Sequence, residues 1–425
     1  MAATPRFFLP SIVPVREPEQ KEVFMANDLN QTPSANRVHI AFFGPRNAGK
    51  SSVVNAVTGQ NLSIVSDVKG TTTDPVSKAM ELLPVGPVVI IDTPGMDDSG
   101  EVGELRVKRA RQVLNKTDVA VLVVDGTVGL SPEDRELCAL FQKKGIPFLT
   151  VFNKSDLGPA PCAGPHEIAV SAKTGDHIFE LKERIAALAK PSDSGRKLIG
   201  DFLAPGEMVV LVTPIDSSAP KGRMILPQVQ AIRDILDAGA SCAVTQPEQL
   251  PSVLAGLAAP PRLVVTDSQA FKAVKAMVPE SVPLTSFSIL FARYKGVLET
   301  AVRGAAALES LRDGDRILIA EGCTHHRQCE DIGTVKLPRW LQAHTGKSLQ
   351  FDFTSGTEFP EELSSYALVI HCGGCMLNER EMRYRQGFTS DSGIPYTNYG
   401  TVIAYMNGIL KRSLAPFPAY ASLLP

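Results

Sequence analysis

Gly44-Pro45-Arg46-Asn47-Ala48-Gly49-Lys50-Ser51 lies between an apolar run at 38–43 and a helix-patterned stretch at 50–58. It fits the phosphate-binding pattern G-x-x-x-x-G-K-S/T, and a strand before it with a helix after it is the context that pattern needs. The glycines let backbone N–H groups wrap phosphate oxygens, and the helix N-terminus adds its dipole. Gly44, Asn47, Ala48, Gly49, Lys50, Ser51 and Ser52 are therefore expected to cradle the phosphates. Lys50 would reach the β- and γ-phosphates, and the Ser51 hydroxyl would ligate Mg2+.

Strand-like runs at 38–43, 88–91, 119–124, 147–152 and 168–170 alternate with helical patterns at 50–58, 102–114, 132–143 and 178–189. Such alternation predicts a mostly parallel sheet with helices on both faces. Asp92-Thr93-Pro94-Gly95 follows the second run, so the carboxylate can hold Mg2+ through water and the Gly95 N–H can sense a γ-phosphate. Asn153-Lys154-Ser155-Asp156 follows the fourth. A carboxylate such as Asp156 accepts from N1–H and the 2-amino group of guanine; adenine would leave that buried acceptor unpaired. Lys154 can lie along the base, and Ser171-Ala172-Lys173, after the fifth run, can donate to O6. All four elements fall at strand C-terminal ends, where open α/β sheets bind ligands. The expected ligand is GTP or GDP with Mg2+.

This set resembles the translation-factor-like GTPases, and within them the Era/TrmE/EngA-type branch. Gly70-Thr71-Thr72-Thr73-Asp74 looks like that branch's switch I, which would place Thr72 on Mg2+ and the γ-phosphate. Met96 stands where Ras-like proteins have a water-orienting glutamine; a thioether cannot align water by hydrogen bonding, so hydrolysis is expected to be slow. In the resembling branch an asparagine at the position of Asn47 helps bind K+. K+-stimulated hydrolysis is thus implied, with Lys50, Thr72, Asp92, Gly95 and Asn47 as the catalytic set. A plain loop role for Asn47 is the alternative.

At 425 residues the chain is too long for a single core, because domains divide beyond roughly 250–300 residues. The balance of 43 Lys+Arg against 45 Asp+Glu excludes a wholesale basic nucleic-acid binder. No apolar run approaches the roughly 20 residues that span a bilayer. Residues 1–36 read as a flexible leader without a secretory signal, 37–190 as the GTPase domain, and 191–195 as a linker. A second βα series at 197–285 has strands at 208–212, 241–244 and 262–265 and helices at 228–238, 249–257 and 269–277. It shows no catalytic constellation; Asp216 and Lys221 read as solvating a turn, and the domain as a scaffold or dimer surface. The third segment, 288–425, opens with a helix expected at 296–311, then strands at 315–321, 348–353 and 366–370. The expected fold class is α/β: a P-loop GTPase domain followed by two further α/β domains with mostly parallel sheets.

Seven cysteines are too thinly spread for a disulfide framework. Cys323-Thr324-His325 follows one apolar strand and His371-Cys372-Gly373-Gly374-Cys375 follows another. If those strands share a parallel sheet, both loops open at one edge and three thiolates converge. Gly373-Gly374 would let backbone approach a cluster and donate N–H groups to sulfides. Three Cys and one His would equally satisfy tetrahedral zinc, so ligand type leaves zinc and iron–sulfur both open. A redox dithiol fares worse, since no helix N-terminus is expected after the C-x-x-C to lower a thiol pKa. Cys329 reads as a spare thiol or extra ligand, His326 and His344 as surface or capping histidines, Cys138 as a core residue, and Cys162 and Cys242 as lacking partners.

The joint pattern, an Era/TrmE-like module followed by C-x-H and H-C-x-x-C, resembles the [FeFe]-hydrogenase maturation GTPase family over essentially the whole chain after the leader. The resemblance implies the order GTPase, dimerisation, cluster domain. It implies a [4Fe-4S] cluster on Cys323, Cys372 and Cys375, with the fourth position exchangeable or held by His325 or His371. It further implies a cytoplasmic, homodimeric scaffold or carrier with neither membrane nor nucleic acid as partner. That carrier would receive a transient diiron precursor from radical-SAM hydrogenase maturases and deliver it to apo-[FeFe]-hydrogenase. The rival class is a ribosome- or tRNA-associated Era/TrmE-like GTPase with a structural zinc site.

Overall fold

The apolar runs become three sheets, each flanked by helices. The computed structural model describes residues 32–60, 75–95, 109–110, 112–162, 164–189, 196–215, 224–322 and 331–424. Thr72, Met96, Asp216, Lys221, Cys323, His325, His326 and Cys329, all singled out above, lie outside the described residues. From Pro33 onward the chain forms one compact unit.

The first sheet contains β1 (Val38–Phe43), β2 (Val76–Leu82), β3 (Gly86–Asp92), β4 (Val119–Asp125), β5 (Phe148–Asn153) and β6 (Glu167–Ala169). Their order is β2-β3-β1-β4-β5-β6, parallel throughout except for β2 against β3. Alternate residues of the central strands feed two cores. Ile40, Phe42, Val121 and Val123 pack with the helices Lys50–Thr58 and Ile178–Leu188. Ala41, Phe43, Leu122 and Val124 pack with the helix Pro132–Lys143 on the other face. Each fully buried Phe, Leu or Val contributes about 1.5–3 kcal/mol, which is why strands covered on both faces read as unbroken apolar runs. β2 escaped the sequence reading for the converse reason: it is an edge strand and exposed along most of its length.

The second sheet holds β7 (Met208–Val212), β8 (Ser241–Thr245), β9 (Leu263–Thr266) and β10 (Leu284–Ser286) in the order β10-β9-β7-β8. The third holds β11 (Arg316–Ala320), β12 (Gln350–Thr354), β13 (Leu368–His371) and β14 (Tyr396–Asn398) in the order β12-β11-β13-β14. Both are wholly parallel. β10 and β14 are three residues each, too short to carry a periodic signal.

The helix expected at 296–311 forms as Leu298–Ala305 and runs on as a 3-10 turn to Ser310, and a helix not anticipated from the sequence, Phe287–Tyr294, precedes it. Gly296 separates them at φ +75, a left-handed conformation that a helix interior does not admit. One apolar cluster runs from Leu198 to Phe417 through the second and third sheets, and another, with Val210, Val212, Val264 and Leu284, packs on the other face of the second sheet. Among the described residues no helix is long and apolar enough to cross a membrane.

Candidate functional site

β1 delivers the chain to Gly44, at φ +135, where a Cβ would strike the Val123 carbonyl oxygen at 2.0 Å. Asn47 (φ 59) and Gly49 (φ 84) are also left-handed, and a Cβ on Gly49 would lie 2.3 Å from Asn153 Nδ2. The loop is therefore wound tightly against β4 and β5. Lys50 is buried, and its Nζ donates to the carbonyls of Gly44 (2.8 Å) and Pro45 (2.7 Å). Its ammonium thus bends back over the loop that phosphates would occupy. Ser51 Oγ donates to Asp92 Oδ2 at 2.8 Å, which joins the two oxygen groups expected around Mg2+; hydroxyl and carboxylate are the donor set a hard cation takes. Thr93 closes onto β1 by donating from N (3.2 Å) and Oγ1 (2.7 Å) to the Phe42 carbonyl, and this seats Gly95 at the same sheet end.

The base-recognition loops meet through Asn153. Its Nδ2 donates to the Ala48 carbonyl at 3.0 Å and its Oδ1 accepts from Ala172 N–H at 3.0 Å, so one side chain ties the P-loop to the 171–173 loop. Ser171 Oγ donates to Asp156 Oδ1 at 2.8 Å and orients that carboxylate, while Lys173 is exposed. Lys154, left-handed at φ 69, pairs with Asp125 Oδ2 at 2.6 Å. Asp125 Oδ1 also accepts from Thr127 N–H and Oγ1, and Lys154 followed by Thr127 hold this carboxyl at about 2. Sequence reasoning missed Asp125; the signal available was an acid closing a fully apolar strand, β4. Of the nucleotide-binding set, every member except Thr72 is described, and the fold brings them to one end of the first sheet.

In the third sheet, β11 and β13 are neighbouring parallel strands with Ala320 opposite His371. The segments that follow them therefore leave the same sheet edge. Cys372 Sγ accepts from the N–H of Gly322 (3.0 Å) and of Gly374 (3.4 Å). Gly322 is the residue immediately before Cys323 in the sequence. Gly374 is left-handed at φ +61, and a Cβ there would meet Met382 Sδ at 2.3 Å. Burial pushes the Cys375 thiol up, against a smaller pull from the Lys295 ammonium. Lys295 is itself buried, donates to the Leu377 carbonyl at 2.9 Å, and is lowered by that burial to about 8. Of the three thiols expected at this edge only Cys372 and Cys375 are described, and among the described residues no group of three or more His, Cys, Asp or Glu is placed to hold a metal ion.

Contrary to the sequence expectation, a helix does begin just after the C-x-x-C: Glu379–Asp391, capped by Asn378 Oδ1 accepting from Glu381 N–H at 3.0 Å. Even with this helix beginning beside it, burial leaves the Cys375 thiol raised. His371 is fully buried beside the loop. Its Nδ1 lies 2.8 Å from the Cys372 carbonyl and its Nε2 3.2 Å from Arg385 Nη1. Burial, with Arg385 adding to it, holds the ring at about 3, so it is neutral and both nitrogens are committed within the protein. Arg385 also donates to Glu381 Oε1 (2.8 Å) and to the Gly356 carbonyl (2.7 Å). His344 sits in the last turn of a helix near Glu309 Oε1 (3.3 Å), and Cys138 and Cys242 pack against apolar cores.

The first sheet, with its P-loop, Asp92 and Asn153 at one end, defines a P-loop GTPase domain; residues 39–154 match the 50S ribosome-binding GTPase family. Residues 198–296 match the Hydrogen maturase F dimerization domain and residues 299–416 the Hydrogen maturase F tetramerization domain. The chain belongs to the hydrogen maturase F family. Its GTPase region is 37% identical over 135 residues to GTPase Der of Kosmotoga olearia, covering 31% of this chain and 30% of that protein. It is 36% identical over 173 residues to the tRNA modification GTPase MnmE of Chromobacterium violaceum, covering 39% and 37% respectively. The chain thus spans about a third of the length of these relatives. A crystal structure of Aquifex aeolicus Era bound to GDP.AlF4- aligns with a TM-score of 0.32 at 21% identity, over 49% of this chain and 93% of that one.

Proposed function

We propose that this protein is a GTP-hydrolysing iron–sulfur scaffold that carries the diiron precursor of the [FeFe]-hydrogenase active site. The observation that carries the reading is the convergence at one sheet edge: Gly322, which precedes Cys323, donates to the sulfur of Cys372 across adjacent parallel strands. The match to both hydrogen maturase F domains supports it. Cys323, Cys372 and Cys375 would hold a [4Fe-4S] cluster. Its chemistry is an iron with one corner open to an incoming ligand, which a fourth tight thiolate would block. His325 remains the candidate for that corner, whereas the committed nitrogens of His371 favour an orienting role beside it.

At the other end, Lys50 and the P-loop backbone bind the phosphates, Ser51 and Asp92 the Mg2+, and Asp156 the guanine. Thr72 and Gly95 answer to the γ-phosphate, so hydrolysis to GDP releases the loops that carry them. Slow turnover follows from Met96, and K+ stimulation from Asn47. The partners are radical-SAM maturases as donors of the precursor and apo-hydrogenase as acceptor, in a reducing compartment such as the cytoplasm. A second copy is a further partner, in keeping with the dimerization and tetramerization domains.

Anaerobic reconstitution with iron and sulfide tests the cluster. A brown protein with a [4Fe-4S] EPR signal after reduction, lost in Cys372→Ser, supports the scaffold. Colourless protein with stoichiometric zinc, together with salt-sensitive RNA binding, would shift the assignment to a ribosome- or tRNA-associated GTPase. In a host lacking the protein, wild type should restore active hydrogenase and Cys323→Ser should not. Equal GTPase rates in K+ and Na+ buffers would remove the K+ assignment alone.

A further inference from the structure

The cysteine loop does not end in solvent. Three residues after Cys375 stands Asn378, almost fully buried, which belongs to two structures at once. Its Oδ1 accepts from Glu381 N–H at 3.0 Å and its carbonyl accepts from Met382 N–H at 3.2 Å, so it starts the helix Glu379–Asp391. Its Nδ2 points the other way, into the GTPase domain, and donates to the Lys116 carbonyl at 2.7 Å. The same amide faces His39 Nδ1 at 3.3 Å and Asp118 Oδ2 at 3.5 Å. One planar side chain spans the junction, with its acceptor used on one side and its donor on the other.

What Asn378 grips is tied directly to the nucleotide loops. Asp118 and His39 exchange hydrogen bonds: Asp118 N–H donates to the His39 carbonyl at 2.8 Å, and His39 N–H to Asp118 Oδ2 at 2.9 Å. His39 is at the head of β1, and the other end of β1 is the P-loop. Lys116 closes the helical residues 112–116, which lie downstream of Asp92-Thr93-Pro94-Gly95 in the sequence. Residues 116–118 are thus joined through His39 to β1, the strand that leads into the P-loop. Neighbouring contacts widen the junction. Arg380 reaches the carbonyls of Lys144 and Gly145, at 3.4 Å each, and Lys144 Nζ lies 4.8 Å from the centre of the Tyr384 ring.

On the cysteine side there is little slack. Leu377 N–H donates to the Gly374 carbonyl at 3.1 Å, the Leu377 carbonyl takes the Lys295 ammonium, and Gly374 is wedged on Met382. We propose that Asn378 is the positioning residue through which the GTPase domain sets the conformation of the Cys372–Cys375 loop. The nucleotide state is then read at the cysteines through a side chain that touches neither ligand. Coupling of this kind needs an element whose arrangement both sites bias, and the helix start at 378 is that element.

The inference rests on the nucleotide site described above and is independent of which metal the cysteines hold. The test uses the full chain, metal-free and reduced, loaded with GDP or with a non-hydrolysable GTP analogue. Backbone amide hydrogen exchange across residues 372–378 is the readout, and nucleotide affinity is measured on the same samples. In the wild type the two nucleotide states should differ in loop exchange by about five-fold or more, the lower end of ordinary allosteric coupling. Asn378→Ser keeps an oxygen to cap the helix and removes the amide donor, so the difference should collapse while nucleotide affinity stays unchanged. Asn378→Thr, also a helix cap without the amide donor and without a charge to set against Asp118, serves if the serine variant does not fold. A role in folding alone would lower the melting temperature and leave the nucleotide-dependent difference intact, and that result overturns the proposal. So does wild-type exchange that is identical in both states. Failure to bind either nucleotide would overturn the nucleotide site itself, and the joint with it.

Discussion

Asp125 and Lys154, held at 2.6 Å, show how a motif residue depends on one outside the motif. The pair carries a pH prediction whose sign follows from the lowered carboxyl. The folded value is about 2 against an ordinary 3.8, so the folded state gains from ionised Asp125. That stabilisation is complete above the ordinary value and is lost as the pH falls towards 2. Melting temperatures measured from pH 5 down to 2 should therefore fall more steeply in the wild type than in Asp125→Asn. Asp156 gives a second residue-level prediction. Asp156→Ala removes a charged acceptor for guanine and should weaken GDP binding by about 1.5–3 kcal/mol, roughly ten- to 150-fold, in a fluorescent-nucleotide titration. Unchanged affinity would mean the base lies elsewhere. The identities of Lys50, Ser51, Asp92 and Asp156 were legible from their spacing. The double duty of Asn153 was not, because it exists only where the P-loop and the 171–173 loop meet.

Elements were legible in proportion to their burial. β1, β4 and β5 are covered on both faces and stand out as apolar runs, whereas exposed β2 and the three-residue β10 and β14 left no pattern. Gly296 was read as a helix start and is in fact the break between two helices. At this scale Gly304 is the informative position. A Cβ there would sit 2.0 Å from the Tyr396 carbonyl oxygen, since the helix Leu298–Ala305 lies directly on the backbone of β14. Alanine is the better helix former, so a purely helical effect would stabilise. The clash predicts the opposite: Gly304→Ala should lose about 1–3 kcal/mol in chemical denaturation, as overpacking does. A stabilised variant would show that this helix does not approach β14 so closely.

Across the whole molecule, one apolar cluster joins the second and third sheets, while β8 remains at a sheet edge with half-exposed Val244 on it. An edge strand offers unpaired backbone groups, and an exposed apolar residue on it favours pairing with another chain. Val244→Lys should accordingly reduce self-association, read as a lower mass by light scattering at the same concentration; an unchanged mass would place the contact elsewhere. The sequence by itself determined the chemistry available: a P-loop, the Asn153-Lys154-Ser155-Asp156 segment at a strand end, three C-terminal thiols in two motifs, and the α/β alternation that puts strand ends at a common face. These are local properties, set by spacing along the chain and by the periods of helix and strand. Only the tertiary structure decided that β11 lies beside β13, that His371 is spent on Arg385 and its own loop, and that Asn378 joins the cysteines to the GTPase sheet. Strand order and domain contact arise from burying faces contributed by residues far apart in the chain, and no single stretch of sequence contains that information.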